Sequence, residues 1–224
     1  MKRHIVDILQ PVTLLGGAPA RPKVVERILA HAPILVAADG GARAALALGQ
    51  MPQAVIGDFD SIDAATLAQI PSKRLHRIKE QDSTDFEKCL RSISSPLILA
   101  TGFTGGRLDH ELAVYNALLR FPEKRCVVVG DEDLCFLAPL SMQLDLPAGS
   151  RISLFAFADC DVTATGLRWP LDKSAMAADG LTSTSNEVLH GPVNLQLSAR
   201  KLLVILPRIQ LDFLVRHFMQ ENPA

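Results

Sequence analysis

The sequence predicts a two-part α/β chain: a parallel sheet with helical crossovers first, then an antiparallel β-sandwich or barrel. Three observations carry this. In the first half, short apolar runs end in glycine loops and alternate with helical patterns, as parallel βαβ units do. After Pro139 the helical patterns nearly vanish, and short strands punctuated by turn residues take over. The chain has 224 residues, 48% of them hydrophobic and 21% charged, enough for one large or two small domains with a substantial core.

Patterning places the elements in order. Val12 to Leu15 is an apolar run closed by Gly16-Gly17, a strand ending in a flexible loop. Lys23 to Ala32 has helical spacing, with Val24, Ile28 and Leu29 on one face. Ile34 to Ala38 is a second strand, closed by Asp39-Gly40-Gly41, and an Ala/Leu-rich helix over Ala42 to Leu48 stops at Gly49. Ala54-Val55-Ile56-Gly57 is a buried strand that runs into Asp58-Phe59-Asp60-Ser61. Phe86, Cys89, Leu90 and Ile93 form the buried face of a helix that Thr84 and Glu87 begin as a capping box. Pro96 to Ala100 is another strand and leads into Thr101-Gly102-Phe103-Thr104-Gly105-Gly106. The helix Arg107 to Arg120 comes next, its core stripe read as Leu108, Leu112, Tyr115 and Leu119, with Asp109 and Asn116 together on a neighbouring stripe. Cys126 to Val129 and Leu134 to Leu137 are strands. Beyond them come Ile152 to Ala158, the half-buried alternation Val193 to Ser198, the apolar strand Leu202 to Leu206, and a terminal helix over Leu211 to Met219. The change of character between Pro139 and Gly149 divides 1–140 from 141–224.

Composition narrows the function classes. A net charge of −1, from 23 basic and 24 acidic residues, gives no reason to propose nucleic acid or an anionic membrane as partner. The four cysteines are scattered, which fits reduced thiols in a cytoplasmic protein. No apolar run approaches the roughly 18 residues of a membrane span. Met1-Lys2-Arg3-His4 is basic, but Asp7 and Gln10 interrupt the residues after it, which makes a poor signal peptide.

Parallel sheets bind ligands outside the carboxyl ends of their strands, so Gly16-Gly17, Asp39 and Asp58 are expected to converge on one crevice. Asp58 and Asp60, spaced i, i+2 beside a glycine, suit Mg²⁺, and equally suit a polar turn. Asp85 at a helix start favours the positive end of the dipole, and the same helix end is a phosphate site. Arg107 at a loop–helix junction suits a fork on phosphate oxygens, although the Walker spacing is absent. His110 reads as a surface or packing residue, with no second His or Cys at ligand spacing. In the second half, Thr182-Ser183-Thr184-Ser185-Asn186 reads as a solvated turn or edge strand, or as donors and acceptors for a small polar ligand. Trp169 reads as core, or as a flat face for an aromatic or cationic ring. Together these residues describe a nucleotide- or phosphate-handling enzyme with a second, ligand-contacting β domain.

The motifs also occur in a recognisable order. Ala38-Asp39-Gly40-Gly41, Gly57-Asp58-Phe59-Asp60-Ser61, Gln81 to Leu90, Gly105-Gly106-Arg107-Leu108-Asp109-His110 with Asn116, Gly166 to Leu171, and Ser183 to Glu187 make the chain resemble the thiamin pyrophosphokinase family across nearly its whole length. The resemblance implies an N-terminal Rossmann-like sheet with helices on both faces as the ATP/Mg²⁺-binding catalytic domain, and a C-terminal β-sandwich or barrel that binds thiamine. It implies transfer of the diphosphate of ATP to thiamine, giving thiamine diphosphate and AMP. It implies a homodimer with active sites at the subunit interface. By motif, Asp58, Asp60 and Asp85 hold Mg²⁺, and Asp39 lies near the substrate hydroxyl or the metal as the candidate base. Gln81, Thr84, Lys88 and Arg107 contact nucleotide or diphosphate, and Asp109 and Asn116 shape that pocket. Ser183, Ser185, Asn186 and Trp169 line the thiamine site. Lys201-Leu202-Leu203-Val204 departs from the pattern, lacking the tryptophan that some relatives carry after the Leu-Leu pair. Two other functions fit the residues: a Mg²⁺-dependent phosphohydrolase, and a non-catalytic binder of thiamine or nucleotide.

Overall fold

A computed structural model of the chain describes residues 4–220; Met1 to Arg3, part of the basic stretch that makes a poor signal peptide, lie outside the described residues, as do 221–224. The chain divides into two compact units between Asp131 and Glu132.

The first unit holds β1 (Val6–Asp7), β2 (Val12–Leu15), α1 (Pro22–His31), β3 (Ile34–Ala38), α2 (Gly41–Ala47), β4 (Ala54–Gly57), α3 (Ala64–Gln69), β5 (Leu75–Arg77), α4 (Asp85–Ser92), β6 (Ile93–Ser94), β7 (Ile98–Thr101), α5 (Leu108–Arg120) and β8 (Cys126–Val129). β1 and β6 form a small parallel pair. The main strands of this unit lie in the order β5-β4-β3-β2-β7-β8 and all pair in parallel. β2, β4, β7 and β8 are buried at every position, which is why their sequences are continuous apolar runs rather than alternations. The strand order reverses between β2 and β7. There the loops after the two strands cross backbone to backbone: a Cβ on Gly16 would lie 2.3 Å from the Gly102 carbonyl oxygen. The edge strand β5 and helix α3 were not legible in the sequence.

One helix face differs from the sequence reading. On α5 the buried residues are Val114, Ala117 and Leu118. Leu108 is 69% and Leu112 51% exposed, so the Leu108-Leu112-Tyr115-Leu119 stripe is not the core face. The helix carries apolar side chains on two stripes, and the buried one is the stripe with the smaller residues. The capping box of α4 is present as read, with the Glu87 amide donating to Thr84 Oγ1 and the Thr84 amide to Glu87 Oε2.

The second unit holds β9 (Asp133–Leu137), β10 (Ser141–Leu144), β11 (Arg151–Ala156), β12 (Cys160–Thr165), β13 (Leu171–Met176), β14 (Ser183–Glu187), β15 (Val193–Leu197), β16 (Leu202–Pro207) and α6 (Leu211–Gln220). Its strands pair antiparallel in two arrays, β14-β11-β16-β9 and β10-β15-β12-β13. β10 and β15 alternate buried and exposed residues, the pattern of strands with one wet face. β9 falls in this unit, ahead of the change of character at Pro139, because it pairs antiparallel with β16. The Ser/Thr/Asn-rich stretch is β14, at the end of its array.

Candidate active site

A cavity of about 670 Å³ opens at the carboxyl ends of the parallel strands in the first unit, beside the point where strand order reverses. That is where an open α/β sheet offers a crevice, because the loops after neighbouring strands leave in opposite directions. Its walls include Gly17, Asp39, Asp58, Asp60, Gln81, Thr84, Asp85, Lys88, Gly102 and Arg107. Eight of the candidate side chains read from the sequence thus share one cavity: Asp39, Asp58, Asp60, Gln81, Thr84, Asp85, Lys88 and Arg107.

Asp39 follows β3 and is 2% exposed. Its Oδ1 accepts the Phe59 amide at 2.8 Å and its Oδ2 the Ser61 amide at 3.1 Å. Burial raises the Asp39 carboxyl above its ordinary value, and the two amides only partly offset it. β4 passes hard against this group. A Cβ on Gly57 would lie 2.8 Å from both Cβ and Oδ1 of Asp39, so the position requires glycine.

Asp58 leaves β4 with its carboxylate held on several sides. Oδ1 accepts the Asp60 amide at 3.2 Å; Oδ2 accepts Lys88 Nζ at 2.8 Å and Gln81 Nε2 at 3.3 Å. Its backbone carbonyl accepts Arg77 Nε at 2.8 Å. The Lys88 hydrogen bond holds the Asp58 carboxyl below the usual carboxylate range. Asp60 is exposed, and its Oδ1 accepts the Ser61 hydroxyl. Oxygens of Asp39, Asp58 and Asp60 all lie within 4.8 Å of one another. An all-carboxylate, hard-oxygen set of this kind fits a hard divalent cation such as Mg²⁺.

Thr84 caps α4 and places Asp85 in its first turn. Asp85 Oδ1 accepts Lys88 Nζ at 3.0 Å, so one ammonium bridges Asp58 and Asp85. Burial opposes the charge on Lys88, but the hydrogen bonds to Asp58 and Asp85 win and keep its pKa above the ordinary lysine value. Burial raises the Asp85 carboxyl, against the pull of the same lysine. Also lining the cavity, Phe103 meets Phe86 edge to face, with ring centres 4.8 Å apart.

Arg107 lies just before α5 and forks onto Asp109, with Nε to Oδ1 at 3.2 Å and Nη2 to Oδ2 at 2.6 Å. Asp109 and Asn116 are exposed on α5, and neither lines the cavity. One lining cation, Arg43, escaped the sequence reading, and His110, read there as a surface or packing residue, lines the cavity as well. Arg43 sits one turn into α2 after the Asp39-Gly40-Gly41 loop, a placement that spacing from that loop could have shown.

In the second unit, Asn186 on β14 is buried and fully engaged. Its Oδ1 accepts the amides of Trp169 and Glu187; its Nδ2 donates to the Trp169 carbonyl at 2.7 Å and to Ser183 Oγ at 3.0 Å. Asn186 thereby ties the Trp169 segment to the edge strand. Trp169 is 57% exposed, with the Arg168 guanidinium over its ring. Ser185 is exposed at φ 56, and its amide donates to Ser153 Oγ.

This geometry accompanies clear similarities. The model of the thiamin pyrophosphokinase catalytic domain matches residues 25–129, and that of the thiamin pyrophosphokinase vitamin B1 binding domain matches residues 140–202. Thiamine pyrophosphokinase 1 of Arabidopsis thaliana is 29% identical over 218 residues, 82% of each chain. Thiamine pyrophosphokinase 3 of Oryza sativa subsp. japonica is 31% identical over 202 residues, 75% of each chain. A solved protein from Lactobacillus plantarum is similar with a TM-score of 0.73 at 26% identity, covering 89% of this chain and 99% of its own. Yeast thiamin pyrophosphokinase shares the fold with a TM-score of 0.74 at 17% identity, covering 95% of this chain and 90% of its own. With both family domains matched in order over most of its length, the chain belongs to the thiamin pyrophosphokinase family.

Proposed function

We propose that the chain transfers the diphosphate of ATP to thiamine, giving thiamine diphosphate and AMP. The observation that carries this is the convergence of Asp58, Asp60, Asp85 and Lys88 with two glycine loops in one crevice at the strand-order reversal. The thiamine hydroxyl oxygen attacks the β-phosphorus in line; the new O–Pβ bond forms as the Pβ–O bond to the α-phosphate breaks, AMP leaves with that oxygen, and the hydroxyl proton passes to solvent. Asp58 and Asp60, with Asp85 as the third carboxylate, would hold Mg²⁺. A cation there would neutralise charge on the diphosphate and the departing AMP. The Gly16-Gly17 and Gly102 loops let phosphate approach backbone, while Gln81, Thr84 and Arg107 orient it. Lys88, bridging Asp58 and Asp85, fixes the carboxylates against each other.

The finer layout belongs to the same reading. Strand order β5-β4-β3-β2-β7-β8 supports a Rossmann-like sheet with helices on both faces, catalytic over 1–140. The β unit over 141–224 takes thiamine, with Ser183, Ser185 and Trp169 offering polar and aromatic contacts and Asn186 fixing their frame. The working form is a homodimer, in keeping with the exposed Leu108 and Leu112 on α5. The compartment is cytoplasmic: the four buried cysteines form no disulfide among the described residues. Among these residues no helix is long and apolar enough to cross a membrane.

The test is product analysis. Protein incubated with Mg²⁺, ATP and thiamine is expected to yield thiamine diphosphate and AMP in equal amounts. Phosphate release independent of thiamine would instead make it a hydrolase. Tight binding without turnover would make it a carrier or sensor.

A further inference from the structure

We propose that Asp39 is a positioning residue: it clamps the backbone of the Asp58–Ser61 turn and so aims the Asp58 and Asp60 carboxylates, rather than ligating metal or accepting the substrate proton. This rests on the reading of the crevice as a Mg²⁺ site.

Each oxygen of Asp39 accepts an amide, one on either side of Asp60: Phe59 N–H at 2.8 Å and Ser61 N–H at 3.1 Å. The turn they hold is one the chain would not adopt unaided. Phe59 stands at φ 66, in the left-handed region, which a bulky side chain occupies only when its surroundings impose it. The surroundings do so twice. The Phe59 ring packs against the cluster of Ala37, Ala42, Val55, Ile62 and Ile70, and Asp39 fastens the amide of Phe59 itself. With the turn closed, the Asp60 amide reaches Asp58 Oδ1 at 3.2 Å, which fixes the two carboxylates relative to each other. Asp39 has no slack, since β4 meets its Cβ and Oδ1 at Gly57. Its burial differs from that of the exposed Asp60, the most open carboxylate of the three.

The experiment compares Asp39→Asn and Asp39→Ala with Asp58→Asn in the full chain. It reads the metal-free thermal midpoint, Mn²⁺ affinity by calorimetry below every midpoint, and the pH profile of kcat. A clamp predicts that Asp39→Ala lowers the metal-free midpoint by about 2–8 °C, because two amides lose their acceptor, with Asp39→Asn, which keeps one acceptor, falling less. It predicts Mn²⁺ binding weakened about tenfold with its stoichiometry kept, and kcat reduced without change in the shape of its pH profile.

Three results would overturn it. A metal-free midpoint unchanged or raised, with Mn²⁺ binding lost as in Asp58→Asn, would make Asp39 a ligand whose removal relieves carboxylate repulsion. Loss of the acidic limb of the pH profile in Asp39→Asn would make it the base. A lowered midpoint with wild-type Mn²⁺ affinity and kcat would leave it purely structural. The wild-type chain separates these outcomes from failure of the underlying reading, which would show as no Mn²⁺ binding and no thiamine diphosphate before any substitution is made.

Discussion

Lys88 is among the largest fully buried side chains of the described residues, and its ammonium lies 2.8 Å from Asp58 and 3.0 Å from Asp85. The informative perturbation is Lys88→Met, which keeps an unbranched, flexible side chain and removes the charge. Two carboxylates would then share a pocket without their cation. Breaking a buried pair from one side costs about 3–5 kcal/mol. The Asp85 side chain is 31% exposed and that of Asp58 11%, so water recovers part of this, and about 2–4 kcal/mol remains. For a chain of this size each kcal/mol moves the midpoint by about 2–4 °C, so a fall of roughly 4–16 °C is expected without metal. With saturating Mg²⁺ the gap to wild type is expected to narrow, because a second cation replaces the missing charge. Calorimetric melts with and without Mg²⁺ measure both. A metal-free fall under about 1 °C, with only the KM for ATP raised, would refute the reasoning: Lys88 would then serve phosphate and not the carboxylates.

Asn186→Ala removes four hydrogen bonds that join Trp169, Ser183 and Glu187, and is expected to cost about 2–4 kcal/mol. Amide exchange of the Gly166–Leu171 segment would quicken, and the KM for thiamine would rise while that for ATP stays. Arg43 lines the cavity and its guanidinium has no hydrogen-bond or ion-pair partner among the described residues, so Arg43→Ala is expected to raise the KM for ATP about 5–30-fold in steady-state kinetics. Burial holds His76 on β5 below the usual imidazole value near 6.5. The folded chain therefore resists a proton that the unfolded chain accepts. Its stability is level above that value and falls as pH drops through it, and urea unfolding of His76→Gln at about pH 7.5 and about pH 5.5 would show a flatter dependence.

The parallel unit was legible because its strands are buried on both faces and end in glycine, so each run announces both its type and its carboxyl end. Once Gly17, Asp39, Asp58 and Gly102 are strand ends of one sheet, topology alone makes them meet. The α5 face was not legible, since Leu108, Leu112, Val114 and Leu118 are all apolar and periodicity cannot say which stripe is buried. β14 was ambiguous for the opposite reason: Ser, Thr and Asn have short side chains that serve an edge strand or a turn equally well. Arg43 was missed because its helix was read only for its Ala/Leu pattern, although its spacing from the Asp39-Gly40-Gly41 loop puts it beside the crevice. The division of labour among the carboxylates was hidden too, since spacing places Asp39 near Asp58 but cannot show that amides occupy both of its oxygens.

That division bears on how a polyanion enters this crevice at all. Four carboxylates line it, and the cation most deeply set among them, Lys88, is already spent on two. Arg107 is forked onto Asp109, outside the cavity wall. Left to itself such a pocket repels a triphosphate, because near-neighbour like charges at low effective dielectric oppose binding by several kcal/mol. The backbone amides of the glycine loops and the α4 N-terminus offset only part of that. The electrostatics therefore favour a nucleotide that arrives carrying its own divalent cation. In that view Asp58 and Asp60 complete the shell of an incoming Mg²⁺–ATP, and nucleotide binding is expected to vanish when the metal is chelated. Nucleotide affinity that survived chelation would mean that Arg43, His110 and the loop amides outweigh the carboxylates.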